Sequence, residues 1–271
     1  TVTSLDASFS GGLGFNLWGG EAQLATGIEM RREEFKFGGV QVLNGLPLNY
    51  DTIYQAPFDE TSELPKVRRD VKAVYAEVYL PIVKTLDATL AVRRDDYDTF
   101  GSTTNPKYSF KWQPFESLAF RGAYSTGFKV PEFTKLFTGV NEVEYFGLDL
   151  ADPATCPSGV ANSSVPGCEA IHPTIITGGK TDLQPEESKQ KSIGVVYAPT
   201  SNFNISLDWW QIERTNTIRS PDQKMLIDNY DLFAANWIRD SSGRVVAIDR
   251  RYINSGGTLI SGIELDANLN G

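Results

Sequence analysis

The stretch SLDASFSGGLGFNLW, residues 4–18, alternates with period two: Leu5, Ala7, Phe9, Gly11, Leu13, Phe15 and Leu17 are apolar or small, whereas Asp6, Ser8, Ser10, Gly12, Gly14 and Asn16 are polar or small. Successive side chains of a β-strand point to opposite faces, so the stretch is a strand with one greasy and one wet face. The same pattern recurs down the chain. Ala22, Leu24, Ile28 and Met30 oppose Gln23, Glu29, Arg31 and Glu33, and Leu86, Ala88, Leu90 and Val92 oppose Asp87, Thr89 and Arg93. Further copies run through 74–80, 108–112, 118–120, 193–197, 203–209 and 263–269. The chain is therefore all-β, with about nine strands.

The connections between these strands are unequal. LWGGEA (17–22), PIVKTLD (81–87), QPFES (113–117) and APTSN (198–202) are tight, whereas 38–69, 127–187 and 219–257 are long and only 99–106 is modest. Short and long alternate, which places every long loop at one end of an antiparallel meander. Structureless loops of this length are uncommon in a compact domain unless they are functional. A transmembrane β-barrel has this asymmetry, with short periplasmic turns, long extracellular loops and strands of about 9 to 11 residues. Alternation alone also fits a soluble β-sandwich with a solvated outer face; the loop asymmetry favours the barrel. On that reading Tyr108, Trp112, Phe120, Tyr124, Tyr197, Phe203 and Trp209 suit the aromatic girdles of a lipid-facing surface. Glu29, Arg31, Glu33, Glu77, Asp87, Arg93, Lys111, Arg121, Asp208, Glu264 and Asp266 fall on the polar face.

Composition narrows the function classes. The chain has 271 residues, 41% of them hydrophobic, and a net charge of -9 with no clustered basic face, which argues against nucleic acid as a partner. No run of about 18 apolar residues encodes a membrane helix, and no signal peptide is visible. The final SGIELDANLNG stops inside an alternating strand, so the chain reads as a segment of something longer, cut at both ends. No Gly-rich phosphate loop or zinc or calcium pattern occurs, and His172 is the only histidine. Glu264 and Asp266 sit two apart on a wet face, an ordinary arrangement for a solvated wall, and the Trp209–Trp210 pair in DWWQIE is split by the pleat. The expectation is a protein that is not an enzyme, with no catalytic residue, metal or cofactor. A turn at Ser241 to Gly243, flanked by strand-like sequence, predicts a hairpin inside the last long loop.

Three segments carry a resemblance. RGAYSTGFKVPEF (121–133) is similar to the strand exit Ser-x-Gly-Phe-Arg-Ala-Pro-Ser of TonB-dependent outer-membrane receptors. LQPEESKQKSIGVVYAP (183–199) resembles that family's Leu-x-Pro-Glu-x-Ser strand entry, and NSGGTLISGIELD (254–266) its Asn-x-Gly followed by Gly-Ile-Glu. Lys129, Val130 and Glu132 depart from the commoner Arg, Ala and small hydroxyl residue. The three occur in the family's order with alternating strands between them, covering the chain best from Arg69 to its end.

The resemblance implies a contiguous arc of a large barrel of the 22-stranded type, an outer-membrane location in a Gram-negative bacterium, and residues 1–271 as a partial barrel domain without plug or terminal strands. It implies active import of a scarce nutrient: a siderophore, cobalamin, haem or an oligosaccharide. The implied partners are the TonB complex, reached through a plug outside this stretch, the small-molecule ligand and outer-membrane lipid. Ligand-facing candidates are Phe128, Tyr145, Phe146, Asp149 and His172 in loops and Arg93 and Arg121 on the lumen wall; acidic lumen groups fit plug contacts equally. Gly127 is expected to let the backbone leave the ladder and Pro131 to end pairing, putting Phe128 and Phe133 at the extracellular rim. On a cell surface Cys156 and Cys168 are expected to form a disulfide, which restricts the unfolded loop by about 3 kcal/mol; a metal site with His172 lacks a fourth ligand. A passive porin-like or structural barrel, and a soluble carbohydrate-binding β-sandwich, remain as alternatives.

Overall fold

The computed structural model describes residues 1–37, 42–43, 46–47 and 64–269. In chain order the elements are β1 (Val2–Leu17), β2 (Gly20–Phe37), the short β3 (Val42–Leu43) and β4 (Leu46–Pro47), β5 (Leu64–Val83), β6 (Leu86–Tyr97), β7 (Gly101–Phe115) and β8 (Leu118–Lys129). There follow α1 (Phe133–Phe137), β9 (Asn141–Glu144), β10 (Thr174–Thr177), β11 (Glu186–Thr200), β12 (Phe203–Thr215), β13 (Ile218–Arg219), α2 (Gln223–Asp228) and α3 (Tyr230–Phe233). The last four strands are β14 (Trp237–Arg239), β15 (Val245–Asp249), β16 (Ile253–Asn254) and β17 (Gly257–Leu269).

The long strands make one nine-stranded sheet in the order β1-β2-β5-β6-β7-β8-β11-β12-β17, each antiparallel to its neighbours. Sequence neighbours are thus spatial neighbours, and among the described residues no second sheet packs face to face on this one as a sandwich requires. Turns 18–19, 84–85, 116–117 and 201–202 close one end with two residues each, and the long connections leave from the other.

The register fixes which residues share a face. Glu29 pairs with Ala73 and Ala73 with Asp95; Arg121 pairs with Gly194 and Gly194 with Asp208. These charged residues therefore share one surface, the lumen side of a barrel. On the opposite surface Ile28, Val74, Leu90, Phe110, Ile193, Leu207 and Ile263 are all exposed, the pattern of a lipid-facing wall. Tyr108 stacks on Tyr124 and Trp112 on Phe120 on that face, with ring centroids 6.3 Å and 5.3 Å apart. Trp209 pairs with Ile193 and Ile263 there, whereas Trp210 pairs with Ser192 and Gly262 on the lumen side.

Three expectations about strand ends need correction. β5 starts at Leu64, inside the stretch read as loop 38–69. The 99–106 connection shrinks to residues 98–100, because β7 begins at Gly101 and runs through Pro106, opposite Val92. Pro106, which has no N–H to give, sits where β7 and β8 part: their ladder begins only at Lys107 opposite Ser125. Gly127 does not leave the sheet; it pairs with Ser188, and pairing ends at Lys129 opposite Glu186.

The loops after β8 and after β12 fold together. Strands β14, β15, β10 and β9 form a four-stranded sheet in that order, in which β10 of one loop runs parallel to β15 of the other. Trp237 and Ile248 of this sheet form a buried cluster with Leu150 and Leu226. Arg239 of β14 donates to both carboxylate oxygens of Asp152, at 2.6 Å and 2.7 Å. β14 and β15 are the hairpin expected around Ser241 to Gly243, where Gly243 takes φ 86°.

Candidate functional site

The motif at 183–199 joins the other two: it pairs along β8 up to Lys129 and hydrogen-bonds Asn254 at the roots of the loops. Leu136, Leu183 and Ile218 form one buried cluster, joining the helix after β8, the entry to β11 and the exit of β12. Asn254 accepts from the Gln184 amide at 2.7 Å and returns its side-chain N–H to the Gln184 carbonyl at 2.7 Å and the Asn216 carbonyl at 2.9 Å. The buried Glu186 carboxylate accepts from the Ile218 amide at 2.7 Å. Asn216 adopts φ 59°, a left-handed turn that asparagine tolerates. These residues use their hydrogen bonds to clamp loop bases, where the loops would otherwise leave backbone groups unpaired.

The exit of β8 bends inward. Arg69 on β5 donates from Nε and Nη2 to Glu33 Oε2, at 3.0 Å and 2.6 Å, and from Nη1 to the Pro131 carbonyl at 2.9 Å. Its guanidinium lies over Phe133, 4.7 Å from the ring centre, and Phe133 stacks on Phe35 at 6.1 Å. Phe128 meets Tyr97 edge-on at 5.5 Å. The side chain of Arg69 is only 7% exposed, so its charge is matched by Glu33, a carbonyl and aromatic faces rather than by water.

A cleft of about 570 Å³ opens where β7 and β8 part, lined among others by Phe128, Asn105, Gln184, Lys189, Glu213 and Asn216. Thr126 Oγ1 donates to Asn105 Oδ1 at 3.3 Å across the gap. Its size and mixture of aromatic and polar groups suit a small molecule.

The predicted ligand-facing residues fall into three places. Phe128 lines the cleft. In the loops, Tyr145 donates to Asp149 Oδ1 at 2.6 Å, and His172 Nδ1 lies 3.1 Å from the Tyr145 carbonyl. That bond to the carboxylate raises the Tyr145 phenol above its ordinary pKa. Phe146 beside them is exposed. On the wall, Arg93 donates to Asp95 at 2.8 Å and Glu29 at 2.7 Å, and Arg121 makes a two-pronged bond to Asp208 at 2.9 Å and 2.7 Å. Among the described residues, no hydrogen bond or ring stacking joins the loop group to Phe128, Arg93 or Arg121. Cys156 and Cys168 are bonded to each other, which removes them as metal ligands.

Sequence reading missed Arg69, Tyr97, Phe100 and the cleft. One signal was available: in 67–73 the apolar residues Val67, Val71 and Ala73 take the face that carries Tyr75, Glu77 and Tyr79 lower down, so the greasy side changes over at Val74. The buried inner face there is covered by the inward loop, and Arg69 lies within it.

A single antiparallel sheet with an apolar outer face, a charged inner face and all its long loops at one end defines the wall of a membrane β-barrel. The chain belongs to the TonB dependent receptor-like β-barrel family, whose model matches residues 1–270. Members of this family are outer-membrane transporters of Gram-negative bacteria and not enzymes. No curated protein matches the chain. Among solved structures, the siderophore receptor PirA from Acinetobacter baumannii superposes with a TM-score of 0.64 and 18% identity, covering 99% of this chain and 34% of that one. The ferric enterobactin receptor PfeA gives 0.65 at 14% identity, covering 97% and 33%; the protein is from Pseudomonas aeruginosa. The FrpB iron transporter from Neisseria meningitidis gives 0.56 at 16% identity, covering 100% and 33%. The chain thus spans about a third of the length of the solved receptors it resembles.

Proposed function

We propose that this chain is an arc of the wall, with its surface loops, of a longer outer-membrane receptor that captures a ferric siderophore and imports it with TonB-coupled energy. The observation that carries this reading is the fusion of two long loops through the β10–β15 pair into one cap, whose roots are held beside an open cleft by the Leu136–Leu183–Ile218 cluster and the Gln184–Asn254 hydrogen bonds. Such a cap offers a preformed binding surface, and capture by a rigid surface loses less ordering entropy than capture by free loops. The ligand class rests on the solved neighbours, which are named siderophore, ferric enterobactin and iron receptors. Phe128 in the cleft and Phe146 and His172 on the cap are assigned to ligand contact, with Tyr145 and Asp149 holding the loop that presents them. Arg93 and Arg121, already engaged with carboxylates, are assigned to wall cohesion and to contact with a plug supplied from outside this stretch.

The test is uptake of radio-iron-loaded siderophores, enterobactin among them, by iron-starved cells. The reading expects uptake to disappear when the gene is deleted, to return with the intact gene, and to require TonB. Uptake that persists without TonB would point to a passive porin. Unchanged siderophore uptake alongside lost growth on cobalamin, haem or an oligosaccharide would keep the receptor and move the ligand.

A further inference from the structure

The gap between β7 and β8 opens through the wall. Below it the two strands pair from Phe115 opposite Leu118 to Lys107 opposite Ser125. Above it residues 101–106 stay with β6 and residues 126–129 with β11. Two strand edges thus turn away from each other, and among the described residues no backbone hydrogen bond crosses between them. Side chains bridge the gap instead: Thr126 Oγ1 reaches Asn105 Oδ1 at 3.3 Å, and Phe128 meets Tyr97 edge-on at 5.5 Å. The first is long for a hydroxyl donor and the second is a single aromatic contact, so both are weak beside a strand ladder.

The cleft of about 570 Å³ in this gap is lined from both faces of the sheet. Thr103 and Asn105 pair with Asp95 and Arg93 on the lumen face, whereas Lys189 pairs with Thr126 and Glu213 on the outward face that carries Ile193. Its charged lining residues are Lys189, Glu187 and Glu213; the remainder carry no charge and offer hydroxyl, amide and aromatic groups. An opening with one cation against two carboxylates does not select an anionic headgroup.

Just below, on the outer face, a groove of about 290 Å³ is lined by Tyr108, Phe110, Gly122, Tyr124 and Ile193. Gly122 supplies its floor, since a Cβ there would collide with the Phe110 ring. The groove ends upward at the stacked rings of Tyr108 and Tyr124, and the cleft begins at the next outward residue of β8, Thr126. Groove and cleft straddle the upper edge of the apolar band, where Ile193 gives way to Lys191 and Lys189 along β11. An apolar groove leading up to a hydrogen-bonding gap matches an amphiphile.

We propose that the gap is a side entrance for acylated ligands: a ferric chelate with an uncharged amide or hydroxamate head passes between β7 and β8 while its acyl chain lies in the groove. The inference rests on the siderophore-receptor reading and names a ligand class within it. A ferric trihydroxamate suits the cleft because three singly deprotonated hydroxamates balance the charge of the iron. An acyl chain draws such a ligand into the leaflet, and the groove then sets its head at the height of the cleft. Asn105, Gln184 and Asn216 offer the head hydrogen bonds in place of those it made to water. Entry displaces the Thr126–Asn105 bond and the Phe128–Tyr97 contact and breaks no ladder.

The test uses the full-length receptor and two ferric trihydroxamates, identical except that one carries a dodecanoyl chain with a terminal diazirine and the other an acetyl group. Photolysis in phosphatidylcholine vesicles, followed by peptide mapping, should place the label around Phe110, Gly122 and Ile193. Gly122→Leu fills the groove and should weaken binding of the acylated probe by about tenfold, the factor expected for lost contact with about two methylenes. Binding of the acetyl probe should not change. N105C/T126C, oxidised to close the gap, should remove radio-iron uptake from the acylated probe in iron-starved cells and regain it on reduction, with most acetyl-probe uptake kept. Reductant also opens Cys156–Cys168, so the wild type is carried through the same treatment. Thr126→Trp obstructs the mouth without a bond having to form and should give the same selective loss.

Label spread evenly around the barrel would mean annular solvation of the chain alone and overturns the proposal. So does acylated-probe uptake that survives both the closed gap and Thr126→Trp, or equal loss of the two probes, which would make the cleft part of a common lumen site. Import of the acetyl probe alone by the wild type overturns the entrance and keeps the siderophore reading. Import of neither probe, with uptake of other siderophores also absent, overturns that reading itself.

Discussion

Arg69 Nη1 donates to the carbonyl of Pro131 at 2.9 Å, tying β5 to the chain that leaves β8, although β6 and β7 lie between these strands in the sheet. The loop after β8 is therefore fastened inward at its first turn, and the guanidinium is held by Glu33 and the Phe133 ring at the same time. Replacing Arg69 by alanine leaves the Pro131 carbonyl without its donor and Glu33 with Arg31 as its remaining cation. Breaking a buried charge pair in this way costs on the order of 3 to 5 kcal/mol. The expected outcome is faster hydrogen exchange across 130–137 in the full receptor, with the sheet register intact. Lysine should rescue the charge but not the three bonds and the stacking, and so should recover only part of the protection.

The changeover at Val74 makes a second expectation sharp. Val78 faces outward in the middle of the apolar band and Tyr79 faces the lumen. A cation at the lipid midplane costs about 2 to 4 kcal/mol, whereas lumen positions tolerate one. Val78→Arg should lower folding stability in vesicles by that amount, measured by denaturant titration, and Tyr79→Arg should change it by well under half as much. Equal effects would mean that the face assignment is wrong.

These two positions also show what was legible in the sequence. Period two in 4–18 and its repeats depends only on the geometry of a strand, so strand number, order and facing could be read directly, and Trp209 and Trp210 divide as the pleat requires. The alternation of tight turns with long loops gave the end at which a site lies. What could not be read was how separate loops touch. The parallel β10–β15 pair joins residues with about seventy positions between them, and nothing local in Thr174–Thr177 specifies Val245–Asp249 as its partner. The cleft is not legible for a similar reason: it exists because β7 and β8 part above Lys107, and Pro106, which reads as loop, lies within a strand that pairs on one side only at that point. Tyr145, Asp149 and His172, accessible by their place in a long loop, are hydrogen-bonded neighbours, whereas Arg93 and Arg121 sit in ion pairs whose acidic partners are visible on the polar face without any indication of which would meet.

The union of the two loops should respond to acid. The Arg239 guanidinium holds the Asp152 carboxyl below its ordinary value of 3.8, with a further bond from the Ala154 amide. A carboxylate whose folded pKa is depressed contributes stability that is present above the unfolded value and is lost as pH falls through the folded one. Hydrogen exchange around 150–168 and 237–239 should therefore rise as pH drops below 3.8 and be flat above it, after correction for the intrinsic exchange rate. Asp152→Asn should raise exchange at neutral pH and remove this acid transition. The Cys156–Cys168 bond lies in the same loop. Its reduction should add a pH-independent loss of protection, on the order of 3 kcal/mol, confined to the loop.

The bridge between Arg121 on β8 and Asp208 on β12 crosses β11 at Gly194, which pairs with both. A Cβ at Gly194 would collide with the Asp208 carboxylate, so glycine is needed there for a close approach and not for an unusual backbone angle. Gly194→Ala should therefore push Asp208 aside and uncouple the pair. Arg121 is 56% exposed, and an exposed pair of this kind contributes at most about 1 kcal/mol. The measurement is a double-mutant cycle on Arg121→Ala and Asp208→Ala, run in the wild-type and the Gly194→Ala backgrounds by denaturant titration in vesicles. A coupling energy of a few tenths of a kcal/mol in the wild type that vanishes in the alanine background would show that the missing side chain of Gly194 is what allows the bridge. Coupling that survives the substitution would mean that the two side chains reach each other by another route.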